Sequence, residues 1–275
     1  MVKKLIKSIF FKNKDYEEIC CLQNIKRYFW QINWFKTIWF NFKALPFKKA
    51  IKLPFIISYN CKINNIGLIV LKNKIFPGMI SIGVVKINSL ETNEDKVIFT
   101  NYGKIIFNGR TKFHPGAKIC VTQNAILSLG KRNSFGANTK IVSQCAIVIG
   151  NDFRISWNSQ ILDTDFHFLS KVTTGYIYMR KKPITIGDNV FVGNSSSIGK
   201  GTNLTKGSVV SCCSKVSGDF SKEGDYLLIS GNPAKTVAKG FEMISNGWFP
   251  QQELKYEKIL KEAEQIKLFQ KNLNL

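Results

Sequence analysis

From Ile186 to Gly218 an aliphatic residue returns at every sixth position, at Ile186, Val192, Ile198, Leu204, Val210 and Val216. Four places after each of the first five stands Val190, Ser196, Thr202, Ser208 or Ser214. An α-helix would scatter such positions around its circumference, and an amphipathic strand would alternate every second residue. A repeat this short buries its apolar face only by stacking on copies of itself. The pattern therefore predicts an all-β solenoid in which three hexads complete one triangular coil. The aliphatic residue points inward and the small one fills the space beside the next corner. Glycine and asparagine, as in Gly187-Asp188-Asn189 and Gly193-Asn194, supply the turns.

The rhythm extends upstream through Phe113, Ile119, Leu129, Phe135, Ile141, Ile149, Ile155 and Ile161. Cys61 to Gly109 holds short β-rich pieces with looser hexads and reads as the first coils, with Glu91 to Asp95 as a projecting loop. The expected solenoid thus covers 61–240, broken by an insertion at 163–183 where the hexads stop. An interruption of this kind places a loop on one face, which is where binding surfaces commonly form. Residues 1–60 do not repeat and are expected to form a partly helical cap. Within them Ile25 to Phe42 is dense in aromatics, yet Lys26, Arg27 and Lys36 interrupt it and it is too short to span a bilayer. Two readings stand for it. The preferred one is a cover over the first coil; the other is a peripheral contact with anionic membrane through residues 25–52, with Trp30, Trp34 and Trp39 at the headgroups. Residues 241–275 carry Leu254, Ile259, Leu260, Ala263, Ile266 and Phe269 at helical spacing, which predicts a C-terminal amphipathic α-helix packed on the solenoid or on a neighbouring subunit.

A formal charge of +22 calls for anionic partners. Nucleic acid is the weakest candidate, because the lysines are spread along the chain and no recognition helix or zinc-finger spacing appears. Seven cysteines, an odd number without a CxxC pair, argue against a disulfide framework. No apolar run ending in small residues follows the first lysines, and the chain is expected to be cytoplasmic, with a peripheral place at the inner membrane face if the second reading of 25–52 holds. Adjacent Cys212 and Cys213 read as small side chains packed in the coil. Only two histidines occur, His114 and His167. That is too few for a zinc held by three imidazoles, so no metal is expected. His114 reads as a solvent-facing position in its hexad. His167 closes the run Asp163-Thr164-Asp165-Phe166-His167 at the mouth of the insertion, where an imidazole can take a proton near neutral pH and a carboxylate can orient it.

The hexads, the IGDNVFVGN segment and the later SGNPAK segment (Ser230 to Lys235) resemble the left-handed β-helix acyltransferases, in particular their sugar and polysaccharide O-acetyltransferase branch. The resemblance covers roughly residues 100–240. It implies a left-handed parallel β-helix, a homotrimer, and acetyl-coenzyme A as acyl donor lying between adjacent subunits. It further implies His167 as general base, with Asp165 as its orienter and Asp163 as second choice. Donor contacts fall by the same correspondence on Asn194, Cys212, Ser217, Gly218 and Lys235, with Lys239 as a further candidate at the phosphates. Phe191 stands where relatives often have tryptophan, and Ser217-Gly218 where they often have Thr-Lys, so individual donor contacts are weakened. The implied activity is O-acetylation of a sugar in a bacterial surface polysaccharide or its precursor. An N-acetyltransferase of a nucleotide-linked amino sugar is the alternative, although no Gly-rich strand-turn-helix signature precedes the repeat. A non-catalytic β-helix assembly module is the third reading.

Overall fold

A computed structural model describes residues 16–85, 95–244, 257–262 and 264. Among these, three long sheets run along the chain axis, of nine, seven and six strands, and successive strands visit them in rotation. Phe55–Ile57 begins the nine-stranded sheet, Cys61–Asn65 the seven-stranded and Leu68–Leu71 the six-stranded, a few residues before the expected start at 61. Within these three sheets, apart from a terminal antiparallel pair, Leu227–Gly231 with Ala234–Lys239, each strand lies parallel to its counterpart one turn later. This is a parallel β-helix with a triangular section.

Like side chains meet down each wall. Phe135 pairs with Ile155, which pairs with Val192 and then Val210; Ile141 pairs with Ile161, then Ile198 and Val216; Ile149 pairs with Ile186 and then Leu204. All of these are buried, as the six-residue period requires. The small residues four places on are buried too, and their hydroxyls close the corners. Ser159 Oγ donates to the Gly193 carbonyl at 3.0 Å and accepts from Ser196 N; Ser196 Oγ in turn accepts from Ser214 N at 3.2 Å, and Ser214 Oγ from Gly231 N at 3.2 Å. A polar group at a dry corner is tolerated here because the rung above supplies its partner. At the same corner Asn138, Asn158, Ser195 and Cys213 all take left-handed backbone angles. Asparagine adopts these easily, serine and cysteine less so.

Ahead of the coil the described residues form three α-helices, α1 (Tyr16–Arg27), α2 (Trp34–Ala44) and α3 (Phe47–Ala50). Asn33 caps α2 by accepting from Lys36 N at 2.9 Å. Phe40 of α2 closes the open top of the core, its ring 4.9 Å from Phe55 and 5.6 Å from Phe99. Beside it Asn41 exchanges hydrogen bonds with the backbone of Phe55, donating at 2.9 Å and accepting at 3.1 Å, and Thr37 Oγ1 accepts from Ile57 N at 3.1 Å. Residues 243–275 form a separate unit, of which 257–262 and 264 are helical. Most of the expected C-terminal helix, including Leu254, Ala263, Ile266 and Phe269, lies outside the described residues, as does nearly all of the expected loop at 91–95. No helix among the described residues is long and apolar enough to cross a membrane.

Phe135 is fully buried and its ring is stacked 4.9 Å from Phe113. Phe135→Ala is expected to cost about 3–5 kcal/mol, read from equilibrium urea unfolding; a loss below about 1 kcal/mol would mean that the coil does not depend on this stack.

Candidate active site

The coil is interrupted once among the described residues, after strand Gln160–Leu162, at the corner between the seven- and six-stranded sheets. There the chain leaves the wall as an antiparallel hairpin, Leu169–Lys171 with Tyr176–Tyr178, and returns at Ile184–Ile186. The hairpin base is fastened by backbone bonds, Asp165 N to Arg180 O at 2.9 Å and Lys182 N to Asp163 O at 3.0 Å. Lys200 ties it to the next rung, donating to the Met179 carbonyl at 2.6 Å and pairing with Asp165. Lys200 carries no motif in the sequence that would have singled it out.

The predicted catalytic residues separate at this corner. His167 is exposed at the foot of the hairpin. Asp163 is fully buried, and its carboxyl oxygens accept from Ser143 Oγ at 3.0 Å, Gln144 N at 2.7 Å and Cys145 N at 2.9 Å. It fixes the corner of the preceding rung. Asp165 is half exposed and faces Lys200. These partners account for both carboxyl groups, and neither bonds the His167 ring among the described residues.

The predicted donor residues fall in three places. Ser217 and Gly218 lie two rungs on at the corner of His167, both exposed. Gly218 has φ +112 with open space where a Cβ would stand, and its carbonyl accepts from Asn203 N at 3.0 Å. A thin ligand can approach the backbone closely there. Asn194 and Cys212 occupy the adjacent corner, between the nine- and seven-stranded sheets, where the Asn194 carbonyl accepts from Cys213 N at 2.9 Å. Trp157, which the hexad pattern gave no reason to select, sits at that corner one rung earlier and is partly exposed. Lys235 is exposed on the terminal antiparallel pair, whereas Lys239 donates to the Glu223 carbonyl at 2.6 Å.

Two expectations are corrected. His114 is buried, its Nε2 3.4 Å from Ser134 Oγ, because the residues after Phe113 turn a corner instead of extending a strand face. Cys212 and Cys213 are both exposed, because they form the corner itself and their side chains project outward.

The chain is 30% identical over 202 residues, 72% of its length and 85% of the relative's, to a Klebsiella pneumoniae protein named "uncharacterized 24.8 kDa protein in cps region". The chain belongs to that protein's family. No protein-family model matches it. Among solved structures it is similar to the polySia-specific acetyltransferase NeuO, with 19% identity, 75% of this chain and 99% of that chain covered, and a TM-score of 0.47. It is also similar to AntD, an N-acyltransferase from Bacillus cereus solved with dTDP and 3-hydroxybutyryl-CoA, with 15% identity, 81% and 98% covered, and a TM-score of 0.42. A maltose O-acetyltransferase from Clostridium difficile 630 shares 24% identity over 46% of this chain and 67% of that one, with a TM-score of 0.34.

The cysteines offer a direct probe of these surfaces. Burial pushes the Cys21 thiol up to about 11, against the lowering effect of Arg110 and Lys112, and the Cys61 thiol up to about 12. Only the thiolate reacts at a useful rate. Iodoacetamide at neutral pH is expected to modify exposed Cys212 and Cys213 faster than Cys21 and Cys61 by about 10²-fold or more, followed by peptide mass spectrometry. Equal rates at the four positions would contradict the packing described.

Proposed function

We propose that this protein is an acetyl-coenzyme A-dependent O-acetyltransferase that transfers an acetyl group to a sugar hydroxyl of a bacterial surface polysaccharide or its precursor. The observation that carries the reading is the exposed imidazole of His167 at the foot of the hairpin that breaks the coil among the described residues, on the same corner as the open backbone at Ser217-Gly218. The family resemblance of the hexads and of the IGDNVFVGN segment supports the donor. The Klebsiella relative, named for a cps region, supports a glycan acceptor.

In the proposed reaction the acceptor hydroxyl donates a hydrogen bond to His167 and gives up its proton as its oxygen attacks the thioester carbonyl. A backbone amide of the coil holds the tetrahedral oxyanion. The carbon–sulfur bond then breaks, and the imidazolium returns the proton to the leaving thiolate. The proposed transfer is direct, without an acyl-enzyme: the exposed thiols of Cys212 and Cys213 stand on a different corner from His167, and Cys145, on the His167 corner one rung earlier, is half-buried with its amide bonded to Asp163. Asp165, which pairs with Lys200, is the carboxylate we assign to orient the imidazole once the acceptor is bound. Asp163 acts as a positioning residue, through the corner that roots the hairpin. Asn194, Cys212, Ser217, Gly218 and Lys235 are assigned to the donor.

The assembly is proposed to be a homotrimer. The hairpin leaves Phe168, Leu169, Val172 and Ile177 exposed in a single chain, with Val172 at 96%. Apolar surface of this kind is what a second copy would cover. The division of donor residues between two corners fits a groove completed by the neighbouring subunit.

His167→Ala is expected to lower turnover of acetyl-coenzyme A with a glycan acceptor by about 10²-fold or more, with coenzyme A affinity and melting temperature close to wild type. Wild-type turnover in that variant would end the assignment. Asp163→Ala should behave differently, because it strands three donors: a stability loss of about 2–4 kcal/mol is expected alongside the loss of rate. Products labile to hydroxylamine mark esters, and stable ones would move the assignment to an amine acceptor.

A further inference from the structure

Helix α2 is amphipathic in the reverse sense. Its inward stripe is Thr37, Phe40, Asn41 and Ala44, two of them polar and spent on the backbone of strand Phe55–Ile57. Its outward stripe, at spacings of three and four, is Phe35, Ile38, Trp39 and Phe42, exposed by 85%, 47%, 46% and 44%. The apolar surface continues beyond the helix, since the Phe42 ring lies 5.8 Å from that of Phe47, itself exposed, while Trp30 before the helix is 88% exposed. A soluble chain gains nothing by turning a whole aromatic stripe to water while facing amide and hydroxyl groups inward.

The surrounding charge selects what covers the stripe. No aspartate or glutamate occurs between Glu18 and Glu91, and Lys43, Lys48 and Lys52 stand exposed around the aromatics. Glu17 and Glu18 are turned away, the first to Arg132 and the second to Lys74. Pairing this face with a second copy would bring two sets of lysines together with no acid to neutralise them. An anionic lipid surface neutralises them, accepts phenylalanine below the headgroups and places tryptophan at their level. We infer that the outer face of α2, with Trp30, Phe47 and the exposed lysines of 43–52, docks this protein peripherally on anionic membrane. Each lysine brought to such a surface strengthens partitioning about fivefold.

The test is sedimentation of the full chain with vesicles of phosphatidylcholine containing about one quarter phosphatidylglycerol, against phosphatidylcholine alone. Retention on the anionic vesicles, a blue shift of tryptophan emission, and release on raising salt from about 0.1 to about 0.5 M are expected. Phe35→Ser with Trp39→Ser should weaken retention by about tenfold or more, with circular dichroism unchanged because both side chains face solvent. The triple variant Lys43→Glu, Lys48→Glu, Lys52→Glu should weaken it at least as much without touching the aromatic stripe. Failure of the full chain to pellet, or wild-type retention in either variant, overturns the proposal. A loss of oligomer mass in the Phe35/Trp39 variant by analytical ultracentrifugation also overturns it, and assigns the stripe to a second copy. No acyl donor enters the experiment, so its result is independent of the transfer reading.

Discussion

Down each wall of the coil, inward apolar side chains rest on apolar side chains of the next rung. Phe113 lies on Phe135, Ile141 on Ile161, and Ile149 on Ile186. Dispersion between such pairs is small for any one contact and large when summed along three walls. The same stacking imposes a geometric condition, because a strand pair that slips by one residue turns its inward aliphatics to water. Register is therefore fixed on all three walls at once, and the corners stack as well. Residues far apart in sequence, such as Lys200 and Asp165, reach one another only because their corners lie in one column.

The hairpin shows how the coil admits an interruption. The chain leaves after Leu162 and rejoins at Ile184, yet Ile147 still pairs with Ile184 and Ile149 with Ile186, as though nothing had intervened. Asp163 and Lys182 carry this closure, the first through its carboxyl group on the previous corner and the second through its backbone bond to Asp163. A rigid wall with a fastened projection is a suitable mount for a reacting group, since the scaffold bears the positional precision and the loop is left to shape the acceptor.

The sequence made the walls legible and the corners much less so. Ile186 through Val216 declare their direction because an unbroken six-residue period admits one inward solution. His114 and Cys212 depart from the hexad's expectation because a corner reverses the inside-outside alternation that a strand would impose, and the hexad alone does not say which residues turn it. Asp163 and Asp165 look interchangeable along the chain, but one turns into the preceding rung and the other out toward Lys200, a difference set by contacts with residues 143–145 and 200. The aromatics of Ile25 to Phe42 are legible in the sequence. What composition did not reveal is that Thr37 and Asn41 would take the inward places.

Those inward places bear on what the molecule does not do. A stack of parallel strands ends in rows of unpaired amides and carbonyls, which invite another stack to continue it. On strand Phe55–Ile57, Asn41 occupies the amide and carbonyl of Phe55, Thr37 takes the amide of Ile57, and Asn33 N takes its carbonyl at 2.8 Å. At the far end Ala234–Lys239 folds back antiparallel over Leu227–Gly231. The nine-stranded wall is thus stopped at its first strand by side chains of α2 and at its last by an antiparallel turn-back, so neither end of that wall carries the parallel ladder on into a second prism.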